Sequence, residues 1–268
     1  MKNRRCSLLL SLLCLLLAQL SPMVSASTED SEAMQPKLES AFMRALSDPA
    51  EFRDTGIFQL LGYSNEEIAE IGRITPRPVA LKVLADSGSE PGQFVNIRVD
   101  CTKVSYYNLT IDRVVFEFPE CHLCLEELAQ GRLRFLGSQQ IRLKTEVSAA
   151  DIARVFDLVA RARNLTSLRI NLEEDRARIH GRVKRGLFVV DFNLIGDTEL
   201  VDPKTVIFRC ERMFLNRTVV PRNTTNAIFK QINPVFDARK TWLNLNIARI
   251  NIRRGFVETI ATIERRKS

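Results

Sequence analysis

"RVKRGLFVVDFNLIG", residues 182–196, decides the fold. Phe188, Val190, Phe192 and Leu194 alternate with Val189, Asp191 and Asn193. Just upstream, Arg176, Arg178, His180, Arg182 and Lys184 alternate with Ala177, Ile179, Gly181 and Val183. A period of two puts each set on one side of a sheet. The stretch therefore predicts a hairpin with one apolar face and one basic face. It raises two questions: what the apolar face covers, and why the other is basic.

The same alternation recurs on both sides of this hairpin. Val95, Ile97, Val99 and Cys101 are expected on one face. After a turn near Tyr107-Asn108, Leu109 to Phe118 continues, with a slip at Arg113-Val114 that suggests a bulge. Leu133, Phe135, Ile141, Leu143 and Val147 extend the apolar face, with Arg132, Arg134, Arg142 and Lys144 opposite. Further strands are expected at 167–172, 205–215, 242–252 and 256–263.

The period changes twice. Ser148 can cap a helix in which Ile152, Val155, Phe156 and Val159 form one stripe. A second helix is expected over 223–233, with Ile228, Ile232 and Val235 on one side and Pro234 ending it. Strands, helix, strands, helix, strands predicts an α+β fold: a long, strongly curved antiparallel sheet wrapped around two helices.

The ends of the chain differ from this middle. Lys2, Arg4 and Arg5, the apolar run "LLLSLLCLLLAQL" and "VSA" at 24–26 have the form of an export signal, cleaved after Ala26. Removing its three basic residues takes the net charge from +7 to 36 − 32 = +4. Residues 27–90 carry 6 basic and 12 acidic side chains, net −6; residues 91–268 carry 30 and 20, net +10. The acidic part, with helices expected at 31–47 and 64–72, reads as an N-terminal helical segment able to dock an envelope protein. Three domains are thus expected: signal peptide 1–26, acidic segment 27–90 and a sheet domain 91–268. The basic part suits anionic lipid, acidic glycan or nucleic acid, and export argues against the last of these.

Cys101, Cys121, Cys124 and Cys210 remain after cleavage, and an oxidising compartment makes them candidate disulfide cysteines. No catalytic constellation is visible. His122 and His180 have no ligand partner at helical spacing, and nucleophile elbows, zinc-protease helices and phosphate loops are missing. "NLEEDRA" at 171–177 reads as a hairpin turn, because its acids lack a calcium loop's order. The expectation is no enzyme, no cofactor and no metal.

Taken together, "FVNIRVDCTKVSYYNLTIDRVVFEFPECHLCLEELAQGRLRF", "EVSAADIARVF", "LTSLRINLEEDRARIHGRVKRGLFVVDFNLIG" and "WLNLNIARINIRRGFVETIATI" resemble the LmeA-like family of bacterial phospholipid-binding proteins. That family is similar to the tubular lipid-binding (TULIP-like) superfamily, in which a curved sheet wraps helices around an acyl-chain channel. The resemblance spans about 94–263. It implies a phospholipid partner, lipid handling or transport in the cell envelope, and a periplasmic or otherwise extracytoplasmic place. By this resemblance Ile152, Val155, Phe156, Val159, Phe188, Val190, Phe192 and Leu194 would line an acyl-chain site. Arg176, Arg178, Arg182 and Lys184 would approach anionic headgroups. The longer acidic segment and the four cysteines depart from the family pattern. The alternative is an envelope assembly scaffold with a filled core and no lipid.

Overall fold

The structure is a computed structural model that describes residues 28–266 apart from 74, 107–108, 155–164, 186–187 and 242. The expected export signal and the turn near Tyr107-Asn108 therefore lie outside the described residues. Two compact units are distinguished, 1–34 and 35–268. Only helical residues 28–34 of the first are described. Both sheets and all later helices belong to the second.

Among the described residues four helices come first: α1 (Thr28–Ser47, entering this unit at Gln35), α2 (Pro49–Asp54), α3 (Ile57–Leu60) and α4 (Asn65–Ile71). The start of α4 is a capping box. Ser64 Oγ accepts from the Glu67 N–H at 3.3 Å, and Glu67 Oε2 accepts from the Ser64 N–H at 2.9 Å. Strands β1 (Ala80–Ser87), β2 (Gln93–Tyr106) and β3 (Leu109–Leu123) lead to α5 (Leu125–Ala129), then β4 (Phe135–Gly137) and β5 (Gln140–Ser148). Helix α6 begins at 149 and is described to 154. The hairpins β6 (Leu165–Glu173), β7 (Arg176–Arg185), β8 (Phe188–Asp202) and β9 (Thr205–Leu215) come next, with β10 (Thr218–Val219), α7 (Arg222–Ile232) and β11 (Phe236–Asp237). The closing hairpin is β12 (Leu245–Arg253) and β13 (Phe256–Glu264).

The fold is α+β, with antiparallel strands curved into half-barrel form. One sheet has seven strands in the order β1-β2-β3-β5-β13-β12, with β4 on β3; the other has six, β10-β9-β8-β7-β6, with β11 on β9. Residues paired in register share a face, which fixes the inner and outer sides. In the first sheet Val83, Val99, Cys101, Val114 and Ala261 are buried on the inner face. The outer face carries charges in a cross-strand lattice. Arg98 meets Glu117 at 3.2 Å, Arg113 meets Asp100, and Lys144 meets Glu258 at 2.6 Å and Glu146 at 3.3 Å.

What covers the inner face of the first sheet is α1. Leu38, Ala41, Phe42, Ala45 and Leu46 form its buried stripe. The Phe42 ring lies 5.6 Å from Phe118 and 6.4 Å from Phe135, centroid to centroid. Glu39 accepts the Val83 N–H at 3.2 Å, so α1 also occupies an outward donor of edge strand β1. The expected boundary near residue 90 therefore needs correction, since the acidic segment from Gln35 supplies a core helix and an edge strand to the body it was expected to adjoin. The far end is tied down as well. Arg266 holds Glu67 with contacts of 2.7 and 2.8 Å and lies 4.0 Å over the Tyr63 ring.

The two sheets meet where the β12-β13 hairpin crosses the second sheet. Leu172, Ala177, Phe208, Phe229 and Ile252 form one buried cluster, and Val206, Ile247 and Ala261 form another. Main-chain bonds join the same corner: Gly255 N–H to Leu172 O at 3.0 Å, and Ile247 N–H to Pro203 O at 2.7 Å.

Candidate functional site

Strand β8 supplies the inner row read from the sequence. Val190 pairs with Val183, Phe192 with Gly181, and Leu194 with Ile179, so all six positions share one face as the alternation predicts. Next to Ile179 stands Ile170 of β6, and next to Leu194 stands Met213 of β9. The row is longer than the sequence suggested, because β8 continues to Asp202.

Two glycines set the shape of this face. A Cβ at Gly181 would collide with Cζ of Phe192 and lie 3.1 Å from Cδ1 of Leu168. The Phe192 ring therefore lies across the bare backbone of Gly181 instead of standing off the sheet. At Gly196 a Cβ would run into the Arg209 carbonyl and the Phe208 ring. Rings laid flat over glycines keep the inner surface low at these two positions.

Coverage of the row is uneven. Toward its β9 end, Phe208 packs against Phe229 of α7 with ring centroids 5.6 Å apart and the planes tilted by 35°, and both are buried. Ser148 caps α6, accepting the Asp151 N–H at 3.2 Å, and Ala149 and Ile152 pack on the same cluster. The sequence thus placed Ile152 and Leu194 correctly together: both rest against the Leu172–Phe208 cluster. Val183, Val190 and Phe192 remain half-buried. Val155, Phe156 and Val159 lie outside the described residues, as does the Phe188 side chain.

The other face answers why it is basic. Arg176 contacts Glu211 at 3.1 Å, Arg178 contacts Glu173 at 3.1 Å, and Arg182 contacts Asp191 at 2.8 Å. Hydrogen bonding to Arg182 holds the Asp191 carboxyl below its ordinary range. The row is thus one half of a cross-strand ion-pair lattice, with its carboxylates on β6, β8 and β9. Lys184 is exposed at the end of that row. His180 is exposed on the same face, as its place in the alternation implies.

Three other expectations change. No disulfide joins the four cysteines. Cys101 stands opposite Val114, and Cys121 opposite Phe94, so they lie seven rungs apart on one ladder. At roughly 3.3 Å per residue that is far beyond disulfide reach. Cys210 belongs to the other sheet. Burial pushes the Cys101 and Cys121 thiols up to about 12. Val95 is exposed and leaves the face of Ile97 and Val99, because the ladder is disturbed beside Glu120, whose φ is 48°. On α7 the inward residues are Thr225 and Phe229, four apart, while Ile232 and Val235 are exposed.

A cleft of about 550 Å3 is lined by residues of α2, α3, α5 and β4, among them Glu51, Asp54, Gln59, Glu127, Arg132 and Phe135. Its charges are largely matched internally or nearby, Arg132 with Glu127 and Glu51 with Arg44. Among the described residues no group of three or more His, Cys, Asp or Glu side chains is placed to hold a metal ion. Among them, too, no helix is long and apolar enough to cross a membrane.

Comparison with known protein families, with characterised proteins and with solved structures finds no match to this chain. The likeness to the LmeA-like family rests on sequence patterns alone.

Proposed function

We propose that this chain is an exported, non-enzymatic phospholipid-binding protein of the extracytoplasmic envelope, which holds an acyl chain along the inner face of the second sheet. One observation carries the reading. Beneath α1 the inner face of the first sheet holds Ile97 and Val99 at 0 % exposure, whereas Val183, Val190 and Phe192 on the second sheet are apolar yet half-buried. Apolar side chains left half-open on a concave face suit an apolar ligand. From Val190 to Leu194 the row runs roughly 13 Å. Half the hydrocarbon thickness of a bilayer, about 15 Å, is the reach of one acyl chain. Each buried methylene contributes about 0.8 kcal/mol, so such a chain needs no conspicuous polar anchor. The order of strands and helices that resembles the LmeA-like family points the same way.

The second reading, a scaffold with a filled core, is favoured by the full burial of Ile97 and Val99 under α1 in the first sheet. Loading delipidated protein with a labelled phospholipid separates the two. In Phe192→Trp the larger ring should narrow the trough, lowering bound lipid with the melting temperature nearly unchanged. In Gly181→Ala the new Cβ displaces the Phe192 ring into the same space, so loading should fall again. A large drop in melting temperature with loading unaffected in both variants would assign this face to ordinary core.

A further inference from the structure

Resting on the reading that lipid is the ligand, we propose that the chain meets an anionic bilayer through the exposed apolar run 232–236 at the end of α7, not through the arginine row of β7. Ile232, Val235 and Phe236 are 52, 46 and 39 % exposed, and Pro234 between them is exposed too. Large apolar side chains clustered in one short, exposed run mark an interaction surface.

The run is held firmly. Phe229, one turn earlier, is buried on Phe208. Asn233 then hydrogen-bonds both main-chain groups of Phe208: its Oδ1 accepts the N–H at 2.9 Å, and its Nδ2 donates to the carbonyl at 3.0 Å. Val235 N–H donates to Val206 O at 3.0 Å, and Phe236 pairs with Val206 as β11. The side chain of Asn233 thus continues the ladder at the edge of β9 and fixes 232–236 beside it.

Charge selects the occupant. Lys230 precedes the run, and Arg239 and Lys240 come after it; all three are exposed. Asp237 is the single carboxylate between 230 and 240, and Arg239 engages both it, at 3.3 Å, and Asp202, at 2.8 Å. Among the described residues neither Lys230 nor Lys240 has a carboxylate partner. An apolar centre flanked by lysines matches the interface of an anionic bilayer, where the apolar groups enter and the ammonium groups stay at headgroup level. A second copy of this chain would bring lysine against lysine. The β7 row differs on the charge side: its arginines carry carboxylate partners, Arg176 with Glu211, Arg178 with Glu173 and Arg182 with Asp191.

The test is sedimentation of the purified chain with vesicles of phosphatidylglycerol and phosphatidylcholine, against vesicles of phosphatidylcholine alone, at low salt. The wild type should bind the anionic vesicles more tightly. Ile232→Ser/Val235→Ser/Phe236→Ser should weaken that binding about a hundredfold. Lys230→Gln/Lys240→Gln, which alters exposed side chains only, should weaken it about thirtyfold and abolish the preference for anionic lipid. Reversing Arg176, Arg178 and Arg182 to Glu should have a much smaller effect. Anionic binding unchanged in the lysine variant, or lost through the β7 reversal instead, overturns the proposal. So does a concentration-dependent dimer that the serine variant abolishes, which would assign the patch to a second copy. Lipid loading from detergent micelles, measured alongside, keeps the two claims apart. Normal loading without vesicle binding sinks this surface alone, and vesicle binding through 232–236 without loading sinks the acyl-chain site alone.

Discussion

Replacing Phe42 by alanine tests whether the acidic N-terminal helix is part of the curved body. Phe42 is 2 % exposed and makes ring contacts with Phe118 of β3 and Phe135 of β4. Truncating a fully buried phenylalanine costs about 3–5 kcal/mol. Two aromatic contacts, worth about 0.5–1.5 kcal/mol each beyond area, place this site in the upper part of that range. For a body of this size about 1 kcal/mol corresponds to roughly 2–4 °C, so the melting temperature should fall by roughly 8–20 °C. Phe192→Ala is the control. Its ring is half-buried and should cost about 2 kcal/mol or less. Thermal melts followed by far-UV circular dichroism would compare the two in one buffer. Both variants should keep a single transition, with Phe42→Ala melting well below Phe192→Ala. The reasoning fails if Phe42→Ala leaves the main transition in place and produces a separate early one, because α1 would then be an appendage.

Other outcomes concern the charged lattice, the thiols and the C-terminal clamp. Hydrogen bonding from Arg113 holds the Asp100 carboxyl below its ordinary value, and Lys144 does the same for Glu258. A depressed folded-state value stabilises above the unfolded carboxylate pKa, and that contribution disappears as pH falls through the folded value. Asp100→Asn/Glu258→Gln should therefore lower stability at neutral pH and flatten its acid dependence below about pH 4; an acid limb as steep as wild type would contradict this. With thiol pKa values of about 12, Cys101 and Cys121 should resist iodoacetamide at pH 8 until the chain unfolds, while Cys124 is modified in the native state. Peptide mapping checks this, and a cross-linked cysteine pair would overturn it. Arg266→Ala removes the contacts to Glu67 and Tyr63 and should lower the melting temperature by less than Phe42→Ala does. An unchanged melting temperature would show that the clamp contributes nothing.

Patterns confined to one element were legible in the sequence. The Ser64–Glu67 capping box, the Ser148 cap, the hairpin turn at 174–175 and the alternation over 176–184 and 189–195 all stand where the spacing placed them. What the sequence hid depends on register between strands distant in the chain. The α1 stripe identifies a helix but not the sheet it covers, so Phe42 read as part of a separate acidic segment. The arginine row read as free charge because Glu173, Asp191 and Glu211 become its neighbours only once β6 to β9 are aligned. The cysteines read as bridge candidates because a count carries no distance, and the ladder sets two of them seven rungs apart. On α7, Ile228, Ile232 and Val235 formed a plausible inner stripe. The shorter pair Thr225 and Phe229 faces the sheet instead, since Asn233 turns the chain onto the β9 edge. Of the expected lining, Ile152, Val190, Phe192 and Leu194 fall on the inner side as the periodicity required.

If the half-buried face of the second sheet holds an acyl chain, phospholipid should stay with the protein through purification. Native mass spectrometry of protein purified without detergent tests it most directly. A bound species with the mass of a phospholipid, released by organic extraction and restored by reloading, is expected. Protein that carries no lipid as purified and takes none up afterwards would contradict it.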